Sequence, residues 1–240
     1  DSFGETIREA AALQPDRLVT FSYAHVPWFK KAQKKLEEFG LPDADEKLKM
    51  FEAGYRVMTE KGYTPIGLDH YARPEDELSR ALENKNLHRN FQGYCTRETT
   101  GQVYAFGTSA ISQLHSAYSQ NTKDVSAYMK NINEGKFAVV KGYKLKMDQI
   151  LVREVVNEIM CNQYLSWPNI SARLGVIESL ARQMVEPNEK QMKEFESDAL
   201  IAVNEEGFEV VDNGRFFIRN IAASFDPMLK AEQKNFSKSI

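Results

Sequence analysis

Apolar residues recur at helical spacing in some stretches of the chain and give way to β-branched, aromatic runs in others. Residues 6–13 and 48–60 show the helical pattern, and Pro15 ends the first of these helices. Residues 17–23 and 63–68 are rich in β-branched and aromatic side chains, which predicts two strands. The order helix, strand, helix, strand indicates a parallel α/β arrangement.

Two parallel strands do not make a stable sheet by themselves, because parallel sheets are buried on both faces. We therefore expect partner strands from sequence ahead of Asp1, which is not a methionine. We therefore expect the chain to be the carboxyl-terminal part of a longer protein.

The second half of the chain is predicted to be mostly helical, with a domain boundary near Asn121. Turn residues 205–207 separate two short apolar runs and predict one β-hairpin. We thus predict two domains, residues 1–120 and 121–240, the second with a winged-helix-like arrangement of helices and hairpin. The predicted helices cover residues 123–133, 148–160 with Asp148 as a cap, 173–184, 191–198, and a last one containing Phe216, Phe217 and Ile221.

Histidines and arginines gather where the second strand ends and again shortly afterwards. His70 and Arg73 follow residues 63–68, and His88 and Arg89 stand side by side. Ligands of α/β proteins bind at the carboxyl ends of strands, and converging cations and donors suit a ligand with several carboxylates. Alternatively, the arginines pair with acidic residues of the same loop, namely Glu75, Asp76 and Glu77.

Composition excludes several classes of protein. The 240 residues carry 31 basic and 34 acidic side chains, a net charge of −3, which argues against broad nucleic-acid binding. No apolar run approaches the ~20 residues of a membrane span. The two cysteines, Cys95 and Cys161, lie far apart and predict neither a metal site nor a disulfide, which fits a reducing cytoplasm.

Two longer motifs make the chain recognisable. Residues 67–78 read Gly-x-Asp-His-x-Ala-Arg-Pro-x-Asp-Glu-Leu, and residues 87–94 read Leu-His-Arg-Asn-Phe-Gln-Gly-Tyr. Together with residues 23–25, 109–112 and 218–221, they make the chain resemble oxygen-independent coproporphyrinogen III oxidase over nearly its whole length. That family consists of radical S-adenosylmethionine (SAM) enzymes of haem synthesis.

The resemblance implies the end of a partial (β/α) radical-SAM barrel followed by the helical domain. It also implies SAM and a [4Fe–4S] cluster as cofactors, coproporphyrinogen III as substrate and a separate electron donor. In such an enzyme two propionates are oxidatively decarboxylated to vinyl groups, giving protoporphyrinogen IX. No Cys-x3-Cys-x2-Cys run occurs in this chain, so this portion alone is expected to be inactive.

The resemblance also assigns roles to particular residues. It implies that SAM contacts the backbone of Ala24 and the side chain of Ile111, and that Gln92 contacts a second such molecule. Without it, Ile111 would be interpreted as a core residue and Ala24 as a spacer at a strand end. The substrate carboxylates are expected to meet the four polar residues of the motifs: His70, Arg73, His88 and Arg89. Two positions depart from the family, which carries glycine where Ala105 stands and threonine where Cys95 stands.

Two other functions remain open on sequence grounds. A related radical-SAM haem chaperone needs an axial ligand that any of the four histidines would supply. A winged-helix interaction or DNA-binding module is the alternative from a different class. Residues 189–196, which would be its recognition helix, are as acidic as they are basic, whereas a phosphate-contacting helix should be basic.

Overall fold

The computed structural model describes residues 2–91, 93–97, 101–185 and 187–231, and these residues form two compact units. The first unit contains residues up to Arg80 and those from Met228 on, and the second runs from Ala81 to Pro227. The α-helices are α1 (Ser2–Ala12), α2 (Ala44–Glu60), α3 (Glu77–Glu83), α4 (Val125–Asn133), α5 (Met147–Asn162), α6 (Trp167–Leu174), α7 (Glu178–Met184), α8 (Glu189–Ser197), α9 (Ile218–Ala223) and α10 (Pro227–Ala231). The strands are β1 (Arg17–Val19), β2 (Thr64–Gly67), β3 (His70–Ala72), β4 (Leu87–Asn90), β5 (Gly93–Thr96), β6 (Ile111–Gln113), β7 (Ala117–Asn121), β8 (Val139–Lys144), β9 (Tyr164–Ser166), β10 (Ile201–Asn204) and β11 (Gly207–Val210). Two 3₁₀-helices cover Lys31–Phe39 and Asp212–Phe217.

In the first unit, helices α1 and α2 pack together over a small apolar core. Helix α2 begins four residues earlier than the apolar pattern predicted, because Asp43 and Glu46 form a capping box. The Asp43 carboxylate accepts a hydrogen bond from the Glu46 N–H at 2.8 Å, and Glu46 accepts one from the Asp43 N–H at 3.1 Å. The buried core consists of Ile7, Ala11, Val57, Met58, Tyr63 and Tyr71.

The first two predicted strands are joined by a third strand, β3, that the sequence pattern did not predict. Strands β1 and β2 both pair antiparallel with β3, in the order β1-β3-β2, so they run parallel to each other without being neighbours. The reason is a tight reversal at Leu68 and Asp69, where Leu68 adopts a positive φ of 50°. His70, expected in a loop, therefore begins a strand instead.

Helix α5 is the centre of the second unit. Its buried positions include Leu151, Val155 and Ile159, and it packs against β4, β9, α6, α7 and α9. Cys161 is fully buried near its end, which confirms that it is a core residue. Asp148, predicted to cap this helix, lies inside its first turn, and the N-cap is Lys146.

The predicted helix over residues 173–184 is wrong, because the chain breaks it at Gly175. Helix α6 ends at Leu174, and Gly175 takes the left-handed conformation at φ 65°, which suits a residue without a Cβ. Helix α7 starts only at Glu178. The predicted hairpin is confirmed as β10 and β11, and β9 adds a third strand to its sheet.

Candidate functional site

The β4–β5 hairpin carries the more specific of the two sequence motifs. It pairs His88 with Cys95 and Arg89 with Tyr94, and Gly93, the first residue of β5, has a positive φ of 138°. Side chains alternate across a strand, so His88 and Arg89 point to opposite faces of the hairpin. Gln92, predicted to contact a cofactor, lies outside the described residues.

His88 is a buried, neutral histidine with one ring nitrogen unused. Arg97 donates a hydrogen bond from Nη2 to its Nδ1 at 3.1 Å, so the ring proton sits on Nε2. Burial, and then the positive charge of Arg97, lowers the pKa of His88 to about 4. The residue is only 4% exposed, and its Nε2 has no hydrogen-bond partner among the described residues.

Helix α5 supplies the counter-charge for this arginine-rich region. Glu154 Oε2 lies 3.1 Å from Arg97 Nη2 and 3.7 Å from Arg173 Nη1, and Glu154 Oε1 lies 3.4 Å from Arg153 Nε. Burial raises the pKa of this carboxyl, but the three arginines together outweigh burial and hold the pKa below its usual range. Glu154 is therefore ionised at neutral pH.

A second carboxylate, Glu158, ties the same network to the hairpin. It is 1% exposed and accepts a hydrogen bond from Arg173 Nη1 at 2.8 Å. Asn162, one turn further on, donates to Glu158 at 3.5 Å and accepts a hydrogen bond from the Leu87 N–H at 3.2 Å. The helix and strand β4 are thus fixed to each other by side-chain contacts as well as by apolar packing.

A cavity of about 300 Å³ opens beside these charges. Arg153 is anchored at its border by hydrogen bonds to the carbonyl oxygens of Leu114 at 3.2 Å and His115 at 2.8 Å. A Cβ added at Gly101, which also borders the cavity, would stand 3.8 Å from His88 Nε2. The lining residues are His88, Arg97, Gly101, Gln102, Gln113, Leu114, His115, Arg153, Glu154, Arg173 and Leu174.

Arg89 lies on the other face of the hairpin without an acidic partner among the described residues. Its guanidinium stands 5.6 Å from the centre of the Tyr94 ring, and its Nε is buried with no hydrogen-bond partner there. Burial raises the pKa of the Cys161 thiol, and the charge of Arg89 opposes that rise. Arg89 is thus a cation beside an aromatic ring, with capacity to bind an anion.

His70 and Arg73 lie in the first unit and are engaged by their own surroundings. His70 Nδ1 lies 2.9 Å from Asp69 Oδ1. Arg73 donates from Nη2 to the carbonyl oxygen of Gln14 at 2.8 Å, and its Nη1 lies 3.6 Å from Glu75. The pairing of Arg73 with a nearby acidic residue, weighed as an alternative above, is thus present.

Ala24 and Ile111, the two described residues expected to contact SAM, belong to different units of the structure. Ala24 lies in an irregular segment of the first unit, where its carbonyl oxygen accepts a hydrogen bond from Gln33 Nε2 at 3.1 Å. Ile111 begins β6 in the second unit, pairs with Gln120 and is half-buried. Cys95 is half-buried and Cys161 is buried, and within the described part of the chain neither forms a disulfide.

Two absences concern cofactors and membranes. In the ranges that the structure covers, no group of three or more His, Cys, Asp or Glu side chains is arranged to hold a metal ion. With only two cysteines, the chain does not itself fit a three-thiolate cluster site. Among the described helices, none is both long and apolar enough to cross a bilayer.

Sequence reasoning missed the partners of His88. Arg97, Arg153, Glu154 and Arg173 belong to no recognised motif, yet a signal was present. Glu154 and Glu158 are one helical turn apart on a helix face that is otherwise apolar, a pattern that favours buried charges with partners.

Comparison with known proteins gives one consistent result. No protein-family model matches the chain. Proteins called oxygen-independent coproporphyrinogen III oxidase match all of it: that of Synechocystis is 39% identical, that of Escherichia coli 36%, and that of Helicobacter pylori strain 26695 35%. Each match covers 52% of the relative, so the chain spans about half the length of the curated relatives it matches.

A solved structure gives the same result at the level of the fold. The structure of Escherichia coli coproporphyrinogen III oxidase (HemN), described as a radical SAM enzyme, aligns with a TM-score of 0.84 at 36% identity. The alignment covers 95% of this chain and 51% of that one, and it supports the predicted α/β, radical-SAM-like fold. Over its whole length the chain is therefore similar in sequence to proteins called oxygen-independent coproporphyrinogen III oxidase, and it spans about half the length of such a protein.

Proposed function

We propose that the chain is part of an oxygen-independent coproporphyrinogen III oxidase acting in the cytoplasm. The reaction is the oxidative decarboxylation of two propionates of coproporphyrinogen III to vinyl groups, with loss of carbon dioxide, and a separate electron donor is the expected partner. The observation that carries the proposal is the similarity of the whole of this chain to about half of each protein of that name, at 35–39% identity. The acidic balance of the chain agrees with a small-molecule substrate rather than a nucleic acid.

The cofactors of the proposed enzyme are SAM, which supplies the radical when bound, and a [4Fe–4S] cluster. Because this chain has only two cysteines, no step through the cluster is assigned to its residues. The proposal keeps Ala24, Ile111 and Gln92 as contacts of SAM. Their role is to position the cofactor rather than to react with it.

The contribution of this chain to the substrate is recognition of carboxylates. Arg89 supports this proposal best, since its guanidinium is held beside Tyr94 and has no acidic partner among the described residues. A guanidinium binds a carboxylate through two parallel hydrogen bonds. His88, with its unused Nε2–H, is a second donor, and His70 and Arg73 complete the proposed set although part of their bonding capacity is already used.

We also propose different roles for the two predicted domains. Residues 1–120 would close the barrel and cover the active site, and residues 121–240 would form a helical, winged-helix-like packing domain. Helix α8 contains three acidic and two basic residues, and Glu205 and Glu206 form the turn between β10 and β11. These charges support a packing role, because a DNA phosphate backbone would be repelled by them.

Replacement of Arg89 in the intact enzyme tests the proposal. Arg89→Ala should raise the KM for coproporphyrinogen III by about tenfold to a hundredfold with a smaller change in kcat, since a charge-assisted hydrogen bond is lost. Arg89→Lys should restore part of the affinity. Vinyl formation is measured under anaerobic conditions with SAM and a reductant.

Arg80→Ala is the matched control, because Arg80 is an exposed arginine of helix α3. It should leave the KM unchanged. An unchanged KM in Arg89→Ala would remove Arg89 from the substrate site, and an intact enzyme that binds haem but forms no vinyl group would favour the haem chaperone instead.

A further inference from the structure

The cavity beside His88 has the features of a binding site for a small anion. Its walls combine a ring nitrogen that carries a proton with three guanidinium groups, those of Arg97, Arg153 and Arg173. His88 Nε2 is buried without a partner among the described residues, which is costly unless a ligand or water accepts its hydrogen bond. A buried donor aimed at a lined cavity is the observation that points to a ligand.

The charges around the cavity favour an anion over a cation or a neutral molecule. Among the described residues, three arginines face two carboxylates, Glu154 and Glu158, which leaves one positive charge in excess. His88 adds a donor but no charge at neutral pH, and the exposed His115 adds no negative charge in either protonation state. One monovalent anion would neutralise the cluster.

The size of the cavity restricts that anion further. About 300 Å³ is at the lower limit of small-molecule pockets, which suits a short acid and excludes a whole tetrapyrrole. Guanidinium groups and an imidazole N–H match the planar, two-oxygen geometry of a carboxylate. His88 also faces away from Arg89 on the hairpin, so the cavity is separate from the Arg89 face.

We propose that this cavity is a carboxylate-binding site, in which His88 Nε2–H donates to one carboxylate oxygen and Arg97, Arg153 and Arg173 supply the compensating charge. The carboxylate comes either from a propionate arm of a tetrapyrrole or from a free short-chain acid. The carboxylate site itself stands on the geometry above, and only the first of these sources rests on the proposed function.

Titration of the intact protein with sodium propionate tests the site, followed by the ¹⁵N resonances of its imidazole groups. The chain has four histidines, so the His88 signal is assigned by its loss in His88→Gln. Propionate at millimolar concentration should shift the His88 Nε2 resonance saturably, and sodium chloride at equal ionic strength should not. A structural ion network without a ligand would respond to neither salt in a saturable way.

Two variants separate donation by His88 from packing, with binding measured by calorimetry. His88→Gln keeps an N–H donor and should weaken propionate binding by less than about tenfold, whereas His88→Leu should weaken it about tenfold to a hundredfold. Absence of a saturable shift in the unmodified protein, or equal shifts with chloride, would overturn the proposal whether or not the variants fold.

Competition identifies the source of the carboxylate. Coproporphyrin III, the stable oxidised form, should displace propionate if the cavity receives a substrate arm. Propionate binding that coproporphyrin III leaves unchanged supports a site for a free acid. An intact protein that binds propionate but forms no vinyl groups would contradict the proposed function and leave the carboxylate site supported. The two proposals can therefore be tested independently.

Discussion

Two histidine–arginine pairs, His70 with Arg73 and His88 with Arg89, have the same chemistry in the sequence and different environments in the structure. In the first unit, His70 meets Asp69 at 2.9 Å and Arg73 donates to the carbonyl oxygen of Gln14 at 2.8 Å. In the second unit, His88 Nε2 and Arg89 Nε are buried and have no hydrogen-bond partner among the described residues.

The difference teaches that residue type alone does not identify a binding group. A donor that already holds a carbonyl oxygen in place must break that contact to bind a ligand, and the lost bond reduces the gain. A buried donor without a partner carries the cost of desolvation in the free protein, and a ligand removes that cost. The pair His88 and Arg89 is therefore the better candidate for ligand binding. Three experiments test the difference between the two pairs.

The largest expected effect concerns the buried network behind His88. Arg173→Met removes the charged partner of Glu158, which is 1% exposed, and leaves an uncompensated buried charge. The free energy of unfolding should fall by about 3–5 kcal/mol. Urea denaturation followed by the fluorescence of Trp167 measures this change, in a Trp28→Phe background in which Trp167 is the one tryptophan left in these 240 residues.

The double variant Arg173→Met with Glu158→Leu supplies the control. Because both charges are then gone, most of the lost stability should return. A fall in the free energy of unfolding of less than about 1 kcal/mol in Arg173→Met would show that the Arg173–Glu158 pair is solvated. The contrast between a buried network in the second unit and exposed contacts in the first would then be wrong.

The second effect is a dependence of stability on pH that His88 confers. Its pKa is about 4 in the folded protein and near 6.5 when unfolded, so the unfolded state binds the additional proton between these values. The contribution of His88 to the free energy of unfolding is therefore fully present above pH 6.5. As the pH drops through 4, the free energy of unfolding falls by roughly 3 kcal/mol. The lowered pKa of Glu154 acts in the same direction below its usual range.

The same Trp167 denaturation assay, repeated from pH 7 to pH 4, measures this dependence. His88→Gln should flatten the curve between pH 6.5 and 4.5, because it removes the titrating ring while keeping a polar side chain. An identical slope in the variant would mean that other groups cause the loss of stability.

The smallest effect concerns the first pair. Arg73→Met removes hydrogen bonds to the carbonyl oxygens of Gln14 at 2.8 Å and Pro15 at 3.5 Å, just beyond helix α1. We expect a local loss of about 1–2 kcal/mol, seen as faster hydrogen exchange in α1, together with a smaller rise in KM than Arg89→Ala produces. Arg80→Met serves as the exposed control.

Unchanged exchange in Arg73→Met would indicate that its contacts with these carbonyl oxygens contribute little. A rise in KM as large as that of Arg89→Ala would place both pairs at the substrate and remove the distinction between them.

Much of the fold follows from local pattern. The apolar spacing of residues 48–60 correctly predicted helix α2, and the turn residues 205–207 correctly predicted the β10–β11 hairpin. The errors arose where a single residue redirects the chain. Leu68 reverses it so that β3 lies between β1 and β2, and Gly175 separates α6 from α7.

The candidate site followed from sequence only in part. The motif identified His88 and Arg89 as candidate site residues, because the order of residues along the chain preserves that signal, but it did not predict the hairpin that carries them. The arginines and glutamates around the cavity were missed, since Arg97 and Glu154 are 57 positions apart and neither belongs to a motif.

The sequence by itself determined the helices and strands with strong periodicity, the chemistry of the two motifs and the likeness to a family of oxidases. Only the tertiary structure decided which donors are already bonded. The physical reason is distance along the chain. Arg73 donates to the carbonyl oxygen of Gln14, 59 residues away. Nδ1 of His88 accepts a hydrogen bond from Arg97, nine residues away, whereas its Nε2 has no partner among the described residues.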